Sequence, residues 1–190
     1  MSKFTRVDTV IPDLFIIEPT VFGDNRGFFM ETYNKKEFVR IGMDVDFIQD
    51  NHSKSKKGTL RGLHFQKEFP QAKLVRVIRG EVYDVAVDIR ENSPTFGKWF
   101  GVILSEENKK QSFMPKGFAH GFLALTDIVE FTYKCSDYYH PEDEAGIIWN
   151  DPEISIEWPL EKYGIDEPLL SEKDKKWPTL KELKFSRLED

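Results

Sequence analysis

The chain has 190 residues, room for one hydrophobic core and less than two independent domains usually take. Hydrophobic residues make up 39% of it, which excludes a disordered chain, and a net charge of −6 argues against nucleic acid as a partner while leaving room for a small anionic ligand. Cys135 is the only cysteine, so no intramolecular disulfide and no thiol metal cluster can form, and its expected role is strand packing.

Taken in chain order, residues 1–19 ("MSKFTRVDTVIPDLFIIEP") lack a long apolar core and a small-residue cleavage site, and no later run approaches the length of a membrane span. The expectation is a cytoplasmic protein with no membrane partner. "NKKEFVRIG" (34–42) reads as a helix, and "LRGLHFQ" (60–66) as a strand interrupted by polar groups. "RGEVYDVAVDIR" (79–90) alternates Tyr83, Val85, Val87 and Ile89 with Val82, Asp84, Ala86 and Asp88, the period-two pattern of a strand. "KWFGVILS" (98–105) and "IVEFTYKCSDYY" (128–139) read the same way, with turns at "ENSPTFG", "SEENKK" and "MPKG". From about Trp158 the chain turns rich in lysine, glutamate and proline and reads as an extension, with a second helix expected over "SEKDKKWPTLKEL" (171–183). Many short strands and few helices predict a mainly β fold, a jelly-roll barrel with short peripheral helices, as one domain over residues 1–190.

Two clusters carry chemistry. His64 and Gln66 lie two apart on the strand over 60–66 and share a face, with Leu60 if the strand is regular. Arg61 adds a guanidinium, which is costly to bury without an anionic partner. Arg61 and His64 are three apart, so a regular strand sends them to opposite faces; serving one pocket requires a break in alternation, which Gly62 permits. The second cluster, "FMPKGFAHGFLAL" (113–125), is a tight turn feeding an apolar strand with His120 just inside it.

Together the two clusters resemble the paired signatures of cupin barrels, which usually hold a metal through two histidines one residue apart, a downstream glutamate and a histidine of the second motif. Here Gln66 stands at the second histidine and Lys73 lies where the acid would be sought, so no metal is expected. Asp84 fits a buried carboxylate near Lys73 as well as an exposed one.

The blocks "VFGDNRGFFMETYN", "FIQDNHSKSKKGTLRGLHFQ", "KLVRVIRGEVYDVAVDIR", "SPTFGKW", "MPKGFAHGFLAL", "YKCSDYYHPEDEAGIIWNDP", "IEWPL" and "LSEKD" resemble, in order and spacing, the dTDP-4-dehydrorhamnose 3,5-epimerases of deoxysugar biosynthesis. The resemblance covers nearly the whole chain. It implies a homodimer of jelly-roll subunits, without cofactor, that inverts C3 and C5 of dTDP-4-dehydro-6-deoxy-D-glucose by removing protons α to the C4 ketone and returning them on the other side of the ring. In that resemblance His64 is the base, Asp174 its carboxylate partner, Tyr133 the proton donor and Lys73 the group that stabilises the enolate. Tyr139 matches the tyrosine that stacks on thymine, and Arg61 and Arg26 the phosphate ligands. Glu31, Gln49, Asp50, Asn51, His120, Glu144 and Lys173 match further binding positions. The block with Arg26 and Glu31 is expected to serve the neighbouring subunit's pocket by strand exchange, and the extension from about residue 158 to pack near the active site. The alternatives are an epimerase acting at one carbon of a related 4-keto sugar nucleotide, a cupin that binds a sugar nucleotide without turning it over, and a metal-dependent cupin oxygenase.

Overall fold

The computed structural model describes residues 3–183, and over them the strand-rich pattern becomes two facing antiparallel sheets. The larger sheet runs β1 (Phe4–Asp8), β2 (Phe15–Pro19), β10 (Gln111–Met114), β7 (Lys73–Arg79), β12 (Ile128–Cys135) and β5 (Gln49–Lys56). The smaller runs β13 (Glu144–Gly146), β6 (Leu60–Gln66), β11 (Phe118–Ala124), β8 (Glu81–Asp88) and β9 (Trp99–Ser105). A separate hairpin joins β3 (Phe22–Asp24) to β4 (Gly27–Phe29). The result is the mainly β jelly roll that the sequence predicts, and among the described residues no helix is long and apolar enough to cross a membrane.

Between the sheets lie Val75, Val77, Val82, Ala86, Leu104, Phe118, Phe122 and Phe131, all buried. Alternation in β8 holds: Val82 and Ala86 face this core, whereas Val85 and Val87 point the other way. Both faces are nevertheless buried, because the C-terminal chain lays Ile147, Ile154 and Leu180 over the outside of the smaller sheet. Each such aliphatic side chain contributes about 1.5–3 kcal/mol by leaving water. The extension is therefore a strap, tied to the edge of the barrel by Leu60 N to Leu169 O at 3.0 Å, Leu169 N to Gly58 O at 2.8 Å and Ile148 N to Pro178 O at 2.9 Å.

The helix expected over 171–183 does not form. Ser171 to Lys176 make turns, with Lys175 N on Ser171 O at 3.2 Å, and after an irregular stretch through Pro178 a further turn closes with Glu182 N on Thr179 O at 3.1 Å. Pro178 explains this: it has no N–H to donate and its ring drives Trp177 out of the helical region. The other expected helix is present as α1 (Lys35–Arg40), where the Asn34 side chain accepts from Glu37 N and Gly42 follows at φ +90°. Its Phe38 is fully buried against Phe4 and Met43, covering one end of the outer face of the larger sheet. Farther along that face Ile78 remains 41% exposed, and the β3–β4 hairpin holds out Phe22, Phe28 and Phe29 at 52–65%.

Candidate functional site

A regular β6 could not send Arg61 and His64 the same way. Its register against β11 shows an extra residue: His120 pairs with His64 and Phe122 with Arg61, so two steps on one strand span three on the other. Gly62 sits at this bulge with φ +116°, and a Cβ there would lie 2.6 Å from both Gly121 Cα and His120 O. Only glycine fits. The bulge sends Leu60 and Leu63 outward into apolar clusters. Arg61 reaches across to Ser55 Oγ at 3.2 Å, and His64 enters a pocket between the sheets. The regular-strand expectation that Leu60 shares a face with His64 is thus corrected, while His64 and Gln66 do line the same pocket.

Its two principal walls come from different sheets. On the β6 side, His64 Nε2 lies 2.5 Å from Asp174 Oδ1, although 110 residues separate them. Asp174 is buried and accepts further bonds from Ser171 Oγ at 2.8 Å and Trp177 Nε1 at 3.2 Å. Burial by itself would raise the Asp174 pKa, but the bonds from His64, Ser171 and Trp177 outweigh it and hold the carboxyl below its ordinary value. An ionised carboxylate only accepts, so the proton between the two belongs to Nε2, which makes Nδ1 the acceptor nitrogen of the neutral imidazole. Glu144 Oε1 stands 3.9 Å from that Nδ1.

Facing them from the larger sheet are Tyr133 and Cys135 of β12 and Lys73 of β7. Burial pushes the Tyr133 phenol and the Cys135 thiol up and the Lys73 ammonium down. Cys135 therefore packs in its strand as expected, but it also lines the pocket. At the rim, Tyr139 Oη and Lys173 Nζ both donate to Glu144 Oε2 at 2.7 Å. The first bond pushes the Tyr139 phenol up to about 12. For Glu144 burial acts upward, and the Lys173 and Tyr139 bonds prevail and lower it. Gln49 accepts from Tyr139 N at 2.9 Å and donates to Asn51, whose amide reaches Cys135 Sγ.

Seven of the expected residues thus line one pocket: Gln49, Asn51, His64, Lys73, Tyr133, Tyr139 and Glu144. Asp174 and Lys173 join them by hydrogen bonds. His120 is buried behind this pocket, its Nε2 2.6 Å from Asp84 Oδ1, and Asp84 is itself 1% exposed, so the question about Asp84 is answered by a buried partner. Arg61 lies beyond the lining, Asp50 turns outward to Lys134 at 2.8 Å, Arg26 pairs with Asp24 on the hairpin, and Glu31 pairs with Lys3. Gln66 bonds to the backbone: its amide donates to Phe69 O and Tyr138 O and accepts from His140 N, tying two loops over the pocket. Among the described residues no three histidine, cysteine, aspartate or glutamate side chains are grouped to hold a metal ion. Sequence reasoning missed Ser171 and Trp177; both lie beside the "EKD" run, with nothing in the pattern to mark them.

Comparison with known proteins matches residues 8–182 to the family model described as dTDP-4-dehydrorhamnose 3,5-epimerase. A dTDP-4-dehydrorhamnose 3,5-epimerase of Methanothermobacter thermautotrophicus is 55% identical over 182 residues, covering 96% of this chain and 97% of that one. Among solved structures, a dTDP-6-deoxy-D-glucose-3,5-epimerase from Legionella pneumophila Philadelphia 1, in complex with dTDP-4-keto-L-rhamnose, superimposes with a TM-score of 0.91 at 50% identity over 95% of both chains. A 3'-monoepimerase from Streptomyces bikiniensis in complex with dTDP-quinovose gives 0.84 at 36% identity, over 91% of this chain and 86% of that one.

Proposed function

Because the chain belongs to the dTDP-4-dehydrorhamnose 3,5-epimerase family, we propose that its pocket inverts C3 and C5 of dTDP-4-dehydro-6-deoxy-D-glucose, with His64 as base and Tyr133 as acid. The product is dTDP-4-dehydro-L-rhamnose, a step of dTDP-L-rhamnose biosynthesis. One observation carries the assignment of roles: an imidazole paired with a carboxylate stands on one sheet, and a phenol and an ammonium stand on the other, around one pocket.

In this reading Nδ1 of His64 takes the proton α to the ketone, and the imidazolium that forms lies between Asp174 and Glu144. Tyr133, kept protonated by burial, returns a proton from the opposite wall. Acid and base together supply roughly 10²–10⁴-fold, too little for a weakly acidic carbon, so charge at O4 must also be stabilised. Lys73 supplies it: its ammonium makes no hydrogen bond or ion pair among the described residues, and desolvation makes it a better donor to an enolate oxygen. Such a donor is worth about 3–4 kcal/mol. Tyr139 would stack on thymine at the rim, and Arg61 would take phosphate.

The proposal includes a homodimer, one domain over residues 1–190 and a cytoplasmic setting. Three exposed phenylalanines on the β3–β4 hairpin and Ile78 on the uncovered sheet face support a second copy, into whose pocket the hairpin would carry Arg26 and Glu31. Incubation with the 4-keto sugar nucleotide in D₂O is expected to place deuterium at C3 and C5. Deuterium at C3 alone would replace the reading with a single-site epimerase, and deuterium at neither would remove it. His64→Ala should abolish exchange while dTDP still binds; exchange at the parental rate would overturn the base.

A further inference from the structure

Asp174 is held by a residue that the reaction does not require. We infer that Trp177 is a positioning residue for the His64–Asp174 pair, its indole N–H fixing the carboxylate oxygen that the imidazole bonds and its ring, seated on Gly146, setting where that carboxylate stands. Trp177 Nε1 donates at 3.2 Å to Asp174 Oδ1, the same oxygen that lies 2.5 Å from His64 Nε2. Ser171 Oγ holds the other oxygen at 2.8 Å, so the carboxylate cannot turn without losing a bond.

The ring itself has a fixed seat. Gly146 is the residue opposite His64 in the β13–β6 register, and a Cβ on it would come within 2.5 Å of the indole. The indole also meets the imidazole edge-on, with centroids 6.1 Å apart. Just beyond it the strap is pinned twice, by Ile148 N on Pro178 O at 2.9 Å and Leu180 N on Asp151 Oδ2 at 2.7 Å. The indole is thus set by the sheet, and it transmits that setting to Asp174.

An N–H on Oδ1 draws charge from the oxygen that accepts the imidazole hydrogen bond. Losing it leaves a stronger but looser acceptor. The other groups facing the pair are Glu144 of β13 with Tyr139 bonded to it, Lys73 of β7, Tyr133 and Cys135 of β12, His120 of β11 and Lys173 of the strap, whose ammonium lies 5.9 Å from the centre of the Trp177 ring.

The inference rests on His64 being the base, and Trp177→Phe tests it by keeping a ring and removing the donor. Its kcat is expected to fall about fivefold, one hydrogen bond's worth. KM should stay within about twofold. The acid limb of the kcat/KM profile should move up by about half a unit to one unit. Gly146→Ala, which pushes the ring from below, should lower kcat and move the limb as well, and thermal melting confirms that each variant is folded. A folded Trp177→Phe with parental kcat and acid limb would overturn the inference; if it does not fold, Gly146→Ala decides on the same readouts. Loss of the fold in both also overturns it, because Trp177 would then serve the core and not the pair. Exchange in D₂O by His64→Ala, run alongside, reports separately on the base.

Discussion

Lys73 sits in an environment that its type does not prefer: an ammonium in a pocket, desolvated enough to lower its pKa, with no ion pair among the described residues. Leaving a cation unpaired costs stability, and a protein keeps such a group where a ligand supplies the missing charge. Lys73→Met should therefore reduce kcat by about 10²–10³-fold while dTDP affinity, set elsewhere, changes little. Titration with dTDP alongside turnover separates the two, and an equal fall in both would move Lys73 from the sugar to the nucleotide. The same substitution is expected to leave the melting temperature unchanged or higher, since it removes an unpaired, partly buried charge. His64 and Lys73 could be suspected from the sequence because polar groups inside apolar strands stand out. Asp84 and Asp174 could not be placed that way, since their partners lie far off in the chain, 110 residues away for Asp174 and 36 for Asp84, and Trp177 matters only through Asp174.

At the level of single elements, β6 works only because it is irregular. Gly62→Ala would press a Cβ to 2.6 Å from the backbone of β11 at a φ of +116°. Backbone does not yield as a side-chain tip would, so a loss of about 2 kcal/mol or more is expected, together with activity, as the bulge that aims His64 into the pocket is disturbed. Retained melting temperature and turnover would show that the bulge tolerates a side chain. The turn after β8 makes a different prediction. Asp88 is fully buried and accepts from Arg90, Ser93 and Thr95. Burial opposes ionisation, yet those bonds hold the carboxyl at about 2 instead of 3.8. A carboxyl lowered on folding stabilises above its unfolded pKa, so this contribution, about 2 kcal/mol, is intact above roughly pH 4 and disappears as pH falls toward 2. Asp88→Asn should flatten that part of the stability–pH curve, read by urea melts at stepped pH. The strands were legible from alternation and the first helix from its cap, because both signals are local. The last segment was misread as helix because its lysines and glutamates favour one, while the decisive features, Pro178 and the bonds to residues 148 and 151, act through backbone that composition does not report.

For the molecule as a whole, the two sheets differ in how they meet water. The smaller is sealed by its own strap, whereas the larger is covered at one end by α1 and leaves Ile78 exposed beside a hairpin carrying three exposed phenylalanines. Which face is covered depends on chain that comes much later, so sequence alternation gives the strands but not this asymmetry. Arg26 and Glu31 lie on or just after that hairpin and outside their own pocket, which is the expected placement for residues lent to a neighbour. Mixing two disabled proteins tests this directly. Take His64→Ala, which lacks the base, and Arg26→Ala, which lacks a phosphate ligand, each measured alone at low substrate. If the hairpin crosses over, a hybrid dimer contains one pocket with an intact His64 and an intact Arg26 borrowed from the other subunit. Unfolding and refolding a one-to-one mixture should then restore activity to about a quarter of the pockets, because half of the dimers are hybrid and one pocket of each is whole. If Arg26 serves its own pocket, every pocket in the mixture lacks one residue or the other, and activity stays at the sum of the separate variants. Sedimentation of the refolded mixture as a dimer, with no gain in turnover, would keep the assembly and reject the exchange.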